Sequence, residues 1–126
     1  MKLRTLLAFG LFAAAATMAQ ALELRPYSPA ALAQAQDGGK PAAILFHATW
    51  CPTCRAQEQA LQAMKSEPGL DLTVFLADYD TEKALKRQFA IQSQSTLVAL
   101  RGRKVTARLI GDTSPEGLRA ALKSTL

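Results

Sequence analysis

Phe46-His47-Ala48-Thr49-Trp50-Cys51-Pro52-Thr53-Cys54-Arg55 is the stretch on which the reading of this chain turns. It holds both cysteines of the 126 residues. The apolar run Ala42 to Ala48 leads into it and predicts a buried strand. Pro52 to about Ser66 leads out and predicts a helix, with Ala56, Ala60, Leu61 and Met64 near helical spacing on one face. A Cys-x-x-Cys at a strand-to-helix junction is the expected setting of a redox dithiol. Cys51 falls where the helix begins, so its sulfur faces the free N–H groups of the first turn. Those groups and the helix dipole favour the thiolate, the form that attacks disulfides.

Outward from this junction the elements are short and clearly punctuated. On the N-terminal side, Ser28 as N-cap and Pro29 at the first helical position start a helix that stops at Asp37-Gly38-Gly39. On the C-terminal side, Glu67-Pro68-Gly69 breaks the dithiol helix. Leu72 to Ala77 predicts a second strand. Thr81 to Phe89 predicts a short helix capped by Asp80 or Thr81. Thr96 to Leu100 and Val105 to Ile110 flank Arg101-Gly102-Arg103-Lys104, a hairpin signal. Ser114 and Pro115 open the last helix. Strands alternating with helices imply parallel pairing, and the hairpin adds antiparallel strands. The expected fold class is α/β: a mixed central sheet of about four strands with helices on both faces.

The first 21 residues read as an export signal, not as part of this fold. Lys2 and Arg4 precede an apolar run from Leu6 to Met18, and Ala19-Gln20-Ala21 fits a small-x-small cleavage site. The run is shorter than the roughly 20 apolar residues that span a bilayer as a helix. The domain is therefore expected over residues 22–126, one small core, in the periplasm. The formal charge of +5 falls to about +3 without Lys2 and Arg4. That small excess does not argue for nucleic acid. The basic cluster Arg101, Arg103, Lys104 and Arg108 carries no interleaved aromatics and reads as a solvated hairpin. A disulfide across two intervening residues restrains the unfolded chain little, so the cysteine pair reads as reactive, not as a staple.

From about Ser28 to Leu126 the chain resembles the thioredoxin family. The resemblance rests on Trp50-Cys51-Pro52-Thr53-Cys54 after an apolar strand, on the order of elements, and on the final hairpin with its capped helix. The segment Ala48 to Ala56 is similar to the active site of periplasmic thiol reductases that serve cytochrome c maturation. The family implies a thioredoxin-like fold and thiol–disulfide exchange with protein partners at an exposed dithiol. Two positions depart from its pattern. Ser95, in Gln92-Ser93-Gln94-Ser95-Thr96, stands where thioredoxins carry a cis-proline packed against the dithiol. The Gln94–Ser95 bond is expected to be trans, since a cis bond before a non-proline residue costs roughly 2.5–4 kcal/mol. A hydroxyl in place of the ring is expected to open space beside Cys51 and to relax the hold on an extended substrate strand. Leu45 stands where the family carries a buried aspartate, so Cys54 should be harder to deprotonate.

The candidate catalytic residues are Cys51, the nucleophile, and Cys54, which resolves the mixed disulfide. Trp50, Pro52, Thr53, Arg55 and Ser95 surround them. Pro52 suits the first helical position, leaving the N–H groups of Thr53 and Cys54 for the Cys51 sulfur. Thr53 either adds a hydroxyl donor or faces solvent. Trp50 offers an apolar contact to partners or packs in the core. Arg55 is a candidate to stabilise the thiolate, or is simply solvated. His47, the single histidine, reads as structural before proton shuttle.

Together these point to a periplasmic thiol–disulfide oxidoreductase, a protein-disulfide reductase. Its expected partners are protein thiols and disulfides and a membrane or soluble thiol electron donor. It is expected to be a monomer that touches the membrane only through its signal, and to need no cofactor. Two other readings stand beside this one. Copper or zinc carriers also place a Cys-x-x-Cys between strand and helix, although a zinc site wants four ligands. A non-enzymatic thioredoxin-like binding module would fit Ser95 and Leu45.

Overall fold

The computed structural model describes residues 21–126 together with Gly10, Ala13 and Ala14. The rest of the expected signal segment lies outside the described residues. The elements run β1 (Glu23–Pro26), α1 (Pro29–Asp37), β2 (Pro41–His47), α2 (Pro52–Ala63), β3 (Thr73–Asp78), α3 (Lys83–Gln88), β4 (Thr96–Arg101), β5 (Lys104–Ile110) and α4 (Pro115–Lys123). The sheet order is β1-β3-β2-β4-β5. β1 and β2 each pair parallel with β3. β4 runs antiparallel to β2, and β5 antiparallel to β4. The α/β class and mixed sheet match expectation, with five strands in place of about four.

The additional strand is β1, in register from Glu23 opposite Thr73 to Pro26 opposite Leu76. Glu23, Arg25 and Pro26 hide it in the sequence. An edge strand tolerates charge on an open face and a proline, because one of its sides needs no ladder donor. Two further boundaries move. α2 ends at Ala63, and Met64 to Ser66 form a turn. α3 starts at Lys83 without a side-chain cap. The Asp78 carboxylate takes the Asp80 N–H at 2.8 Å, so Asp80 and Thr81 belong to a turn before the helix.

Alternation along the central strands builds a core on each face. Ala43 and Leu45 of β2 join Val74 and Leu97 against Leu61 of α2 and Leu118 and Leu122 of α4. Ala42, Ile44 and Phe46 point the other way, toward Leu32 of α1 and Leu85 of α3. Burying each such large side chain contributes about 1.5–3 kcal/mol. The caps fall where the sequence puts them. Ser28 Oγ accepts the Ala31 N–H at 3.1 Å, and Ser114 Oγ accepts the Gly117 N–H at 3.1 Å. The β4–β5 turn needs its glycine twice over. Gly102 has φ +59°, and a Cβ there would meet the Gly39 Cα at 3.3 Å. In the hairpin's basic cluster Arg101, Arg103, Lys104 and Arg108 are all exposed, and Arg103 pairs with Asp37.

Because β2 is central and paired on both sides, its C-terminal end is rigidly placed. The chain leaves it at His47 and turns into α2 at the edge of the core. This is where both cysteines lie.

Candidate active site

The turn after β2 closes with the Cys51 N–H donating to the Ala48 carbonyl at 3.2 Å. Cys51 then stands as the N-cap of α2, extended at φ −100° and ψ 108°, with Pro52 at the first helical position. A cap side chain normally accepts a first-turn N–H through oxygen. Here sulfur does so: Cys54 N–H donates to Cys51 Sγ at 3.1 Å. Cys54 sits one turn inside the helix, and both cysteines are free thiols.

The opposite wall comes from the segment before β4. Ser95 Oγ lies 3.2 Å from Cys51 Sγ and 3.0 Å from Cys54 Sγ. Ser95 has φ +60°, the left-handed region that a non-glycine residue adopts at a cost. Its backbone is tied at both ends. Its N–H donates to the Phe46 carbonyl at 2.8 Å, and its own carbonyl accepts the Gly111 N–H at 2.9 Å. A third tie comes from α2. Gln57 Nε2 donates to the Ser95 carbonyl and to the Asp112 carbonyl, each at 3.0 Å. Gln57 is wholly buried, and its Oε1 has no hydrogen-bond partner.

These contacts split the two thiols. Burial raises the Cys51 pKa, but hydrogen bonds from Cys54 and Ser95 and from the N–H groups of Cys54 and Thr53 outweigh it, and the net direction is down. Cys54 moves up, first through burial and then through its hydrogen bond to Cys51, while Ser95 and the Ala48 backbone pull weakly the other way. Thiolate character therefore concentrates on Cys51. Two thiols and a hydroxyl are the donors the site offers. Among the described residues no three His, Cys, Asp or Glu side chains gather as a metal site.

A model of the thioredoxin family matches residues 31–124. The chain belongs to the thioredoxin family. The thioredoxin of Alicyclobacillus acidocaldarius is 32% identical to this family member over 93 residues, 74% of this chain and 89% of that protein. For the thioredoxin of Mycobacterium tuberculosis H37Rv the identity is 33% over 72 residues, 57% of this chain and 62% of the relative. In the bifunctional thioredoxin reductase/thioredoxin of Mycobacterium leprae the match spans 16% of the relative. The chain thus covers less than two thirds of the length of these mycobacterial relatives. Among solved structures, Trxlp from Edwardsiella tarda EIB202 is 42% identical, with a TM-score of 0.74, over 79% of this chain and 98% of that one.

At this thioredoxin-family site two expectations fail, that of an exposed dithiol and that of open space at Ser95. The dithiol is not exposed: Cys51 is 2% and Cys54 1% accessible. Ala48 packs beside both, with Tyr79 against the cluster, and the Ser95 side chain lies over the two sulfurs. Nor does Ser95 open space beside Cys51; its hydroxyl occupies that space. The Gln94–Ser95 bond is trans, as expected. Arg55, a candidate to stabilise the thiolate, donates Nη1 to the Thr49 carbonyl at 3.0 Å and is not among the groups that lower Cys51. Leu45 is fully buried in the apolar core.

The remaining candidates divide. Pro52 and Thr53 lie in the first turn of α2 and are exposed; Thr53 meets the site through its N–H. Trp50 is 56% accessible, so it is not a core residue. Its Nε1 donates to Asp80 Oδ2 at 2.8 Å, which holds the ring at the surface next to Cys51. His47 Nδ1 pairs with Glu58 Oε1 at 2.7 Å, joining the end of β2 to α2. Sequence reasoning missed Gln57. The buried stripe of α2 is Cys54, Gln57 and Leu61, continued by Met64, while Ala56 is exposed. A glutamine three residues after the second cysteine and four before a core leucine was the available signal.

Proposed function

We propose that this chain is a periplasmic thiol–disulfide oxidoreductase that reduces protein disulfides through Cys51 and Cys54. The observation that carries the reading is the sulfur cap. Cys51 Sγ accepts the helix N–H of Cys54, and its pKa direction is opposite to that of Cys54. Cys51 thiolate attacks one sulfur of a substrate disulfide, forming a mixed disulfide and releasing the other sulfur as a thiolate. Cys54 then attacks Cys51 Sγ, releasing the second substrate thiol and leaving a Cys51–Cys54 disulfide. A membrane or soluble thiol donor returns the pair to dithiol. The half-exposed Trp50 ring, anchored to Asp80, supplies an apolar surface beside the nucleophile for an extended protein partner. Export rests on the charged and apolar pattern of residues 1–21.

The test uses protein recovered from a periplasmic extract. Its intact mass should lack residues 1–21, and it should reduce insulin in a turbidity assay. Cys51→Ser should abolish that reduction, and Cys54→Ser should trap substrates as mixed disulfides. A mass that retains residues 1–21, or activity surviving in Cys51→Ser, would overturn the corresponding part of the reading.

A further inference from the structure

The resolving step carries a proton problem that the first step does not. Cys54 must lose its proton to attack, while the sulfur it displaces from Cys51 must gain one. Cys54 is buried and its pKa is raised. Leu45, at the position where the family pattern carries a buried aspartate, is apolar, lies in the core and cannot accept a proton. Among the described residues no carboxylate is one of the groups that act on Cys54: these are Cys51, Ser95 and the Ala48 backbone. His47, the single histidine, is directed to Glu58.

One group touches both sulfurs. Ser95 Oγ lies 3.0 Å from Cys54 Sγ and 3.2 Å from Cys51 Sγ. A hydroxyl carries one proton and two lone pairs, so it can accept from one partner while donating to another. We propose that the Ser95 hydroxyl is a catalytic proton relay that carries the proton of Cys54 to the thiol leaving Cys51. In the mixed disulfide Cys51–S–S–R, the Cys54 S–H donates to Ser95 Oγ. As Cys54 sulfur bonds to Cys51 sulfur, the electron pair of the S–S bond departs with R–S. Ser95 Oγ takes the Cys54 proton and passes its own to R–S. The products are the Cys51–Cys54 disulfide, R–SH and an unchanged serine. Two electrons go from the dithiol to the substrate sulfur, and no external acid or base enters.

The surroundings fit a hydroxyl held for this task. Ser95 is 3% accessible, so water has little room to replace it. Its N–H and carbonyl are both anchored, to Phe46, Gly111 and Gln57, so the side chain stays on the sulfurs. The left-handed φ of +60° is a conformational cost at a residue that is not glycine. Such strain is retained where surrounding contacts over-determine it, often at active sites. Gln57 is the positioning residue: it links the Ser95 carbonyl to the Asp112 carbonyl from the helix that carries Cys54.

This relay rests on the reductase reading, and the test separates the two. Reduced protein is mixed with glutathione disulfide or with 5,5′-dithiobis(2-nitrobenzoate), and the release of the second thiol from Cys51 is followed by stopped flow. Glutathione leaves as a basic thiolate that needs a proton; thionitrobenzoate is acidic and does not. Ser95→Ala should slow glutathione release on the order of a hundredfold, and thionitrobenzoate release less, because there only the loss of the Cys54 proton depends on the hydroxyl. Ser95→Gly, which suits a φ of +60°, should show the same pattern and carries the test if the alanine variant does not fold. Slowing of glutathione release by less than about tenfold, or equal slowing of both leaving groups, would overturn the relay while leaving the reductase standing. A wild-type mixed disulfide that Cys54 never resolves would overturn the reductase reading and the relay with it.

Discussion

The two sulfurs lie between segments built in unlike ways. On one side is the start of α2, where strand, cap, proline and helix follow one another within a few residues, and each feature is set by its neighbours in sequence. On the other is Ser95, whose position depends on contacts from distant parts of the chain. Phe46 holds its N–H, Gly111 and Gln57 hold its carbonyl, and its φ is one that the residue would not choose alone. The first wall supplies the reactive atoms. The second covers them and touches both sulfurs through one hydroxyl. A local motif can thus be shared across a family while the non-local wall facing it varies, and with it the way protons move.

The strongest way to break this contrast is to change the second wall. Restoring the family's proline by Ser95→Pro should destabilise the protein, not repair it. Proline fixes φ near −65° and lacks an N–H, whereas Ser95 has φ +60° and donates to Phe46. Stranding the Phe46 carbonyl alone should cost about 1–3 kcal/mol, with the backbone mismatch added. A urea midpoint equal to wild type would show that this loop is free to rearrange. Gln57→Leu should cost less, about 1–2 kcal/mol, because the Asp112 carbonyl loses its donor while the Ser95 carbonyl keeps Gly111. Its glutathione-release rate should also fall, which a purely structural glutamine would leave unchanged.

The mildest perturbation is pH, which sharpens the contrast without a mutation. A depressed pKa keeps Cys51 reactive as pH falls below the ordinary thiol value of about 8.5. A raised pKa keeps Cys54 silent until more alkaline pH. Iodoacetamide alkylation, mapped by peptide mass across a pH series, should therefore label Cys51 first, with a midpoint on the acid side of that of Cys54. In Ser95→Ala that midpoint should move up, since one hydrogen bond to the thiolate is gone. Equal labelling of both cysteines at every pH would count against the split.

The same contrast governs how much could be read from the sequence. The dithiol, its cap and the helix start were legible because their determinants are contiguous. So were the caps at Ser28 and Ser114 and the hairpin at Gly102. Gln57 was not, because its partners lie 38 and 55 residues away, and a glutamine in a helix ordinarily reads as solvated. The role of Ser95 was half legible. Its place opposite the dithiol followed from the family resemblance, but burial of both cysteines followed only from the packed structure. β1 escaped notice because its charges and proline suit an edge and mimic a linker. The α3 start was misplaced because Asp78, not Asp80 or Thr81, controls the preceding turn.

The sheet's order has one more consequence, for behaviour at high concentration. β1 and β5 are its two open borders, each with a row of backbone groups that another chain could extend. β1 is four residues long, carries Glu23 and Arg25, and ends in Pro26. β5 presents Lys104 and Arg108, both exposed, on either side of Thr106. A second copy laid antiparallel along β5 and centred on Thr106 would set Lys104 opposite Arg108 twice over. Like charges directly opposed weaken such a pairing. Sheet growth from chain to chain, the first step toward fibrils, is therefore opposed at both borders by side chains that have no part in the redox chemistry.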